Sequence, residues 1–273
     1  MSRRAACRMT AKSSRMPANT NEGSMSKQVI VITGASRGIG AATAHLAAAR
    51  GYAVCVNYVH NRSAAEQVVD AIRQAGGEAL AVAGDVAVEA DVLKLFQTVD
   101  AQLGKLTALV NNAGILERQM RVEEMDVARL QRVFATNIVG SFLCAREAVR
   151  RMSTSLGGQG GAIVNLSSMA AKLGGPGEYV DYAASKGAID AMTVGLAKEV
   201  AGQGIRVNAV RPGVIYTDIH ASGGEPGRVD RVKDTVPMRR GGSAEEVARA
   251  IMWLVSDEAS YSTGAFIDVA GGR

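Results

Sequence analysis

The chain has 273 residues, 47% of them hydrophobic and only 4% aromatic, enough for a sizeable core in one large α/β domain or two small ones. No apolar run approaches the roughly 18 residues that a membrane-spanning helix needs, so no membrane partner is expected. The net charge of +5 is concentrated at the start, where Arg3, Arg4, Arg8, Lys12 and Arg15 face Glu22 alone, and it gives little reason to expect a nucleic-acid partner.

Residues 1–24 lack hydrophobic periodicity, and no apolar stretch follows the arginines as a secretory signal would require. They are expected to form a disordered basic N-terminal extension, with Met25 directly preceding the first strand. From there strands and helices alternate. Val29-Ile30-Val31-Ile32 is a β-branched run that predicts a buried strand, and Ala41 to Arg50 predicts a helix closed by Gly51. Residues 53–58 read as the second strand, Ser63 as the cap of a helix running to Gly76, and residues 79–83 as the third strand. A helix from about Val88 to Leu103 precedes a strand at 106–110, and a long helix spans roughly Val127 to Met152. Strands follow at 162–166, 205–210 and 266–269, with helices to about Gln203 and over 244–255.

Strands this apolar, separated by helices, imply an α/β fold: a single doubly wound parallel sheet (Rossmann type) flanked by helices on both faces, spanning residues 25–273. Cys7, Cys55 and Cys144 have no metal-ligand spacing, so no metal is expected. Cys55 and Cys144 sit in apolar stretches, as buried free thiols do in a reducing compartment such as the cytoplasm.

Two motifs carry chemistry. The first strand ends in Thr33-Gly34-Ala35-Ser36-Arg37-Gly38-Ile39-Gly40 and a helix opens at once. Glycines allow the backbone to approach a pyrophosphate closely, and the helix N-terminus supplies free N–H groups with partial positive charge. The position of this turn, at the first strand–helix junction of an alternating chain, predicts dinucleotide binding. Further on, Tyr182 and Lys186 are four apart in an alanine-rich helical stretch without proline, hence on one face of a helix. A phenol titrates near pH 10, and a fixed ammonium beside it is expected to bring it toward neutrality as a proton donor and acceptor.

With Asp85-Val86, Asn111-Asn112-Ala113-Gly114, Asn137, Ser167-Ser168 and Pro212-Gly213 in the same order, the chain resembles the short-chain dehydrogenase/reductase superfamily over residues 26–273. Within it, the chain looks most like the glucose-1-dehydrogenase-like and 3-oxoacyl-carrier-protein-reductase-like members. The resemblance implies hydride transfer between a nicotinamide cofactor and a carbonyl or alcohol. Tyr182 would be the general acid or base, Lys186 its partner and a ribose ligand, Ser168 the group that binds the substrate oxygen, and Asn137 the holder of a proton-relaying water. Ser168 lies fourteen residues before Tyr182, one more than the commonest spacing, which leaves Ser167 as the alternative.

The same resemblance assigns cofactor contacts to Gly34, Ser36, Arg37, Gly38, Ile39 and Gly40, to Asp85 and Val86 at the adenine, and to Asn111, Ala113 and Gly114 at ribose and nicotinamide. Pro212, Gly213, Val214 and Thr217 would hold the nicotinamide. Asp85 and Asn111 read equally well as strand-end turn formers. Asn57-Tyr58 ends the second strand where an NAD enzyme carries a carboxylate, and Arg37, Arg62 and His60 lie near enough in sequence to attract a 2′-phosphate, which favours NADP over NAD. The glycine- and proline-rich stretch 216–242 reads as a substrate lid, in which His220, Arg228, Arg231 and Arg239 could meet a polar or anionic substrate. Family relatives imply a homotetramer. A redox sensor or regulator that binds a dinucleotide without turnover is the alternative function.

Overall fold

The structure, a computed structural model, describes residues 27–273. The expectation for residues 1–24 lies outside them. Seven strands of the described residues form one sheet: β1 (Val29–Ile32), β2 (Ala53–Tyr58), β3 (Ala79–Ala83), β4 (Ala108–Asn111), β5 (Gly161–Leu166), β6 (Ile205–Pro212) and β7 (Phe266–Val269). Every pairing is parallel, in the order β3-β2-β1-β4-β5-β6-β7. The chain winds outward from β1 in one direction and, after β3, crosses to β4 and winds out in the other. Ligands of open α/β sheets bind at this switch point, beyond the carboxyl ends of β1 and β4.

Among the described residues ten α-helices connect the strands: α1 (Gly38–Ala49), α2 (Arg62–Gln74), α3 (Glu89–Gln102), α4 (Val127–Phe134), α5 (Gly140–Met152), α6 (Ala170–Leu173), α7 (Val180–Val200), α8 (Ile219–Ser222), α9 (Arg228–Val232) and α10 (Ala244–Val255). Two apolar layers sandwich the sheet. On one face Ala44, Val68, Ile72, Ile251 and Leu254 of α1, α2 and α10 meet Ile30, Ile32 and Val54. On the other, Phe96, Cys144, Met152 and Val200 of α3, α5 and α7 meet Val29, Val31 and Ile163. A strand covered on both faces has no polar side to show, which is why β1 and β2 are buried throughout. Burial pushes the thiol pKa of Cys55 up, and that of Cys144 to about 12, so both are inert neutral thiols.

Three of the differences from the expectation have a visible cause. Helix α1 begins at Gly38 because the glycine turn runs straight into it. The cap of α2 is Asn61, whose side chain accepts from the Ala64 N–H, two residues ahead of Ser63. The long helix at 127–152 is broken by a π-helical turn over Ala135–Val139, and Asn137 sits in it.

Candidate active site

The glycine turn is held from behind by side chains that never reach the cleft. Gly34 and Gly38 have φ of +61° and +56°, conformations a β-carbon makes costly. A β-carbon on Gly40 would stand 2.6 Å from the Gly34 carbonyl oxygen and 2.7 Å from Asn112 Nδ2, so only glycine lets α1 pack this closely on the loop. Arg37, the residue that precedes α1, is extended and provides no side-chain cap, so the helix's first N–H groups are left as a ready anion cradle. Gly34 packs on Ala113 and Gly38 on Thr217, which brings the turn, the β4 end and the β6 end together around one cleft.

Several predicted contacts have other duties. Asn57 is 1% exposed: its Oδ1 accepts from the Gly34 N–H at 3.2 Å, and its Nδ2 donates to the Val82 and Gly84 carbonyls. Its amide braces the turn, so its side chain does not face the cleft where a cofactor contact was expected. Asn111 is likewise turned inward, donating to Ser141 O and Asn165 Oδ1, because a buried amide beside β5 must find partners there. Tyr58 is buried in the core, and the Val86 side chain packs against Gly140, which leaves Val86 only its backbone for a ligand. Asp85 Oδ1 accepts from the Ala87 N–H at 2.9 Å, the turn-forming role that was its alternative. Arg62 lies exposed against Glu66 at 2.6 Å, whereas Arg37 stands exposed at the mouth of the turn.

Helix α7 carries the reactive pair. Lys186 is 4% exposed and its Nζ donates to the Leu166 carbonyl at 2.6 Å, at the end of β5. The ammonium lies 5.6 Å from the centre of the Tyr182 ring. A β-carbon on Gly114 would be 3.4 Å from Asn137 Oδ1 and 3.6 Å from Lys186 Nζ, so these three share one small space. Asn137 is fully buried; the π-turn swings it toward Ile115, whose N–H it accepts at 2.8 Å and whose carbonyl it donates to at 3.0 Å. Ser167 is buried, its hydroxyl donating to the Lys186 carbonyl at 3.2 Å, while the half-buried Ser168 lies beside the Tyr182 phenol.

The electrostatics correct one expectation. Burial dominates at Tyr182 and pushes its pKa up to about 12; the adjacent Ser168 hydroxyl pulls the other way without reversing it. Burial also brings Lys186 down to about 8, against the opposing pull of Asp190. The lysine donates its hydrogen bond to a backbone carbonyl and not to the phenol, and burial keeps the Tyr182 pKa above its usual value. The phenol is therefore a neutral proton donor across the physiological range.

The stretch 216–242 folds as α8, α9 and a 3-10 turn, pinned by a parallel bridge between Ile215 and Gly242. Its arginines are already engaged. Arg228, 6% exposed, donates to both Glu178 oxygens, to Glu225 and to the Tyr179 hydroxyl; Arg231 pairs with Glu225 and Glu178; Arg239 donates to the Asp234 carbonyl. His220 Nε2 is 3.0 Å from the Ile215 carbonyl, and burial lowers its pKa.

Other residues of the site were not singled out from the sequence. Thr33 Oγ1 accepts from the Asn112 and Ala113 N–H groups, and Asn112 Nδ2 returns bonds to the Thr33 and Gly34 carbonyls. Arg129 holds Asp181, next to Tyr182, in a buried bidentate pair at 2.7 and 3.2 Å. Polar residues inside otherwise apolar strands and helices were the signal for these.

Among the described residues no group of three or more His, Cys, Asp or Glu is placed to hold a metal, and no helix is long and apolar enough to cross a membrane.

Comparison with known proteins agrees with this architecture. A family model described as enoyl-(acyl carrier protein) reductase matches residues 34–273. A protein of Escherichia coli (strain K12) titled uncharacterized oxidoreductase YgfF is 61% identical over 245 residues, covering 90% of this chain and 99% of that one. A 3-oxoacyl-[acyl-carrier-protein] reductase of Synechocystis is 39% identical (91% and 97% covered), and glucose 1-dehydrogenase 2 of Bacillus subtilis is 38% identical (89% and 93% covered). A solved double mutant of a Serratia marcescens short-chain dehydrogenase/reductase superposes with a TM-score of 0.82 at 33% identity, covering 90% of this chain and 97% of its own. With the fold, the glycine turn and a family model spanning nearly the whole described chain in agreement, this protein belongs to the short-chain dehydrogenase/reductase superfamily of oxidoreductases.

Proposed function

We propose that the protein reduces a small carbonyl compound, or oxidises the corresponding alcohol, with NADP(H), and that Tyr182, Lys186, Ser168 and Asn137 handle the proton. The observation that carries this reading is the gathering of Tyr182, Lys186 and Ser168 beside a glycine turn at the switch point of the sheet. The turn fits a dinucleotide: positive φ at Gly34 and Gly38 shapes the loop, Gly40 lets α1 pack closely on it, and the N–H groups opening α1 would bind a pyrophosphate. Ser36, Arg37 and Ile39 flank that position, Asp85 and Val86 border the adenine side, and Ala113, Gly114, Pro212, Gly213, Val214 and Thr217 border the nicotinamide side. A nicotinamide bound there supplies or accepts the hydride.

The chain's own residues do the rest. Ser168 holds the substrate oxygen and stabilises charge growing on it. The neutral Tyr182 phenol donates its proton to that oxygen in reduction, and in oxidation its phenolate takes the proton back. Lys186, anchored on the Leu166 carbonyl, stabilises the phenolate while it exists, and Asn137 fixes the Ile115 backbone that walls this corner.

The 2′-phosphate preference rests on Arg37 and on a β2 end that offers Tyr58 and no carboxylate. Relatives titled glucose 1-dehydrogenase 2 and 3-oxoacyl-[acyl-carrier-protein] reductase support the reaction class. The stretch 216–242 serves as the lid. Val139 and Phe142, about half exposed on the α5 side, suit a homotetramer, which light scattering would test. The reaction is tested with a panel of carbonyls and alcohols, each offered with NADPH or NADP and followed at the nicotinamide absorbance. Turnover with at least one pair, and more with NADP(H) than with NAD(H), is expected; no turnover with any would overturn the reading.

A further inference from the structure

We infer that Asp190 is a positioning residue for Lys186: a fixed counter-charge, one helical turn along α7, that keeps the buried ammonium protonated. The inference rests on the reading of Lys186 given above and concerns how this chain equips it. Residues four apart on a helix share a face; from it Lys186 reaches the Leu166 carbonyl at the end of β5 and Asp190 reaches Arg211 near the end of β6. Arg211 of β6 clamps one oxygen of the carboxylate, with Nε at 3.0 Å and Nη2 at 2.9 Å from Asp190 Oδ2. The other oxygen, Oδ1, is buried and has no donor among the described residues. Leaving a buried carboxylate oxygen without a donor is costly, and Lys186, one turn back on the same helix, carries the charge that would offset that cost.

The surroundings of Lys186 offer no substitute. β5 presents only the Leu166 carbonyl, the π-turn presents the uncharged Asn137, and Gly114 presents backbone. On α7 itself the other titratable neighbour is Tyr182, which is neutral, while Asp181 is turned away into its pair with Arg129. Behind Asp190 stand Arg211, whose guanidinium lies over the Phe266 ring at 3.9 Å, then Asp268 of β7 at 3.5 Å from it, then Lys172 of α6 at 2.6 Å from Asp268. This row of alternating charge fixes Asp190 in place, so that its field at Lys186 does not depend on a mobile side chain. Burial by itself lowers the lysine pKa, and Asp190 is what opposes it.

The test reads Lys186 directly in the cofactor-free protein. The side-chain nitrogen is titrated by 15N NMR, its resonance assigned by its loss in Lys186→Met. Asp190→Asn keeps an acceptor for Arg211 and removes only the charge. It is expected to move the Lys186 midpoint down by on the order of half a pH unit or more, with Asp190→Glu restoring it. Arg211→Gln, which takes away the cation facing Asp190, is expected to move the midpoint up. These opposite shifts are not what loosened packing would give. Midpoints in Asp190→Asn and Arg211→Gln that superimpose on that of the unaltered protein would overturn the assignment. Because nothing in this titration requires turnover, it decides the role of Asp190 whether or not the proposed reaction holds.

Discussion

Arg228 Nη2 donates to the Tyr179 hydroxyl at 2.5 Å, and the Tyr179 ring meets the Tyr182 ring edge-on at 5.8 Å. The stretch 216–242 is thus joined to the reactive phenol through one intermediate side chain. Arg228 also binds Glu178 and Glu225, and Glu225 in turn accepts from Gln119 Nε2 at 2.6 Å, so three segments framing the cleft share one charge cluster. Arg228→Met leaves two carboxylates without their buried partner and is expected to cost about 3 kcal/mol of stability by urea denaturation. Tyr179→Phe removes one hydrogen bond and should cost about 1 kcal/mol. Limited proteolysis within 216–242 should accelerate more in the first variant than in the second; equal rates would deny Arg228 its central place.

Tyr182→Phe should lower turnover by at least about 1,000-fold, since it removes the proton donor and little else. Cofactor affinity, read from nicotinamide fluorescence, should stay within about twofold. A variant that keeps a tenth of the activity would show that another group supplies the proton.

The two arginines near the β2 end should separate. Arg37→Ala is expected to raise the Michaelis constant for NADPH about tenfold or more while changing that for NADH little, the loss of one charge-assisted bond to a phosphate. Arg62, tied to Glu66 by a 2.6 Å ion pair, should matter less. An unchanged NADPH constant in Arg37→Ala would remove the physical basis for an NADP preference.

The sheet was legible because its strands are buried on both faces, so Val29–Ile32 appears as an unbroken apolar run, and Ala53–Tyr58 as one interrupted only by Asn57, with the bounds the structure has. The glycine turn and the Tyr182–Lys186 spacing were legible because their chemistry is local. What escaped was set by partners distant in sequence. Asn57 looks like a strand-end residue facing a ligand until Gly34, 23 positions away, is seen to need its carbonyl oxygen. Arg129 and Asp181 are 52 residues apart, and Arg228 and Tyr179 are 49 apart; no spacing rule links them. Tyr179, three residues before Tyr182 and with no lysine one turn on, lies edge-on against that phenol. The expected effect of Lys186 on the phenol also failed for a spatial reason: the sequence places the two side chains on one face, but the Leu166 carbonyl decides where the ammonium goes.

That ammonium makes a prediction about stability and pH. Burial lowers the Lys186 pKa from 10.5 to about 8 in the folded protein. Below about pH 8 both folded and unfolded chains carry the proton, and the folded state bears the full cost of a buried charge. Between about 8 and 10.5 the unfolded chain holds a proton that the folded one has released, so this residue makes stability rise with pH. Tyr182, raised from 10.0 to about 12, acts oppositely, but only above pH 10, where the folded protein keeps a proton the unfolded chain loses. Lys186→Met abolishes the first effect and leaves the second. Urea unfolding of both proteins at intervals from pH 7 to pH 10 should therefore show the unaltered protein gaining roughly 2 kcal/mol on the variant across that range. Parallel curves would mean that Lys186 keeps its ordinary pKa on folding, and with it that the lysine beside the phenol is a solvated charge.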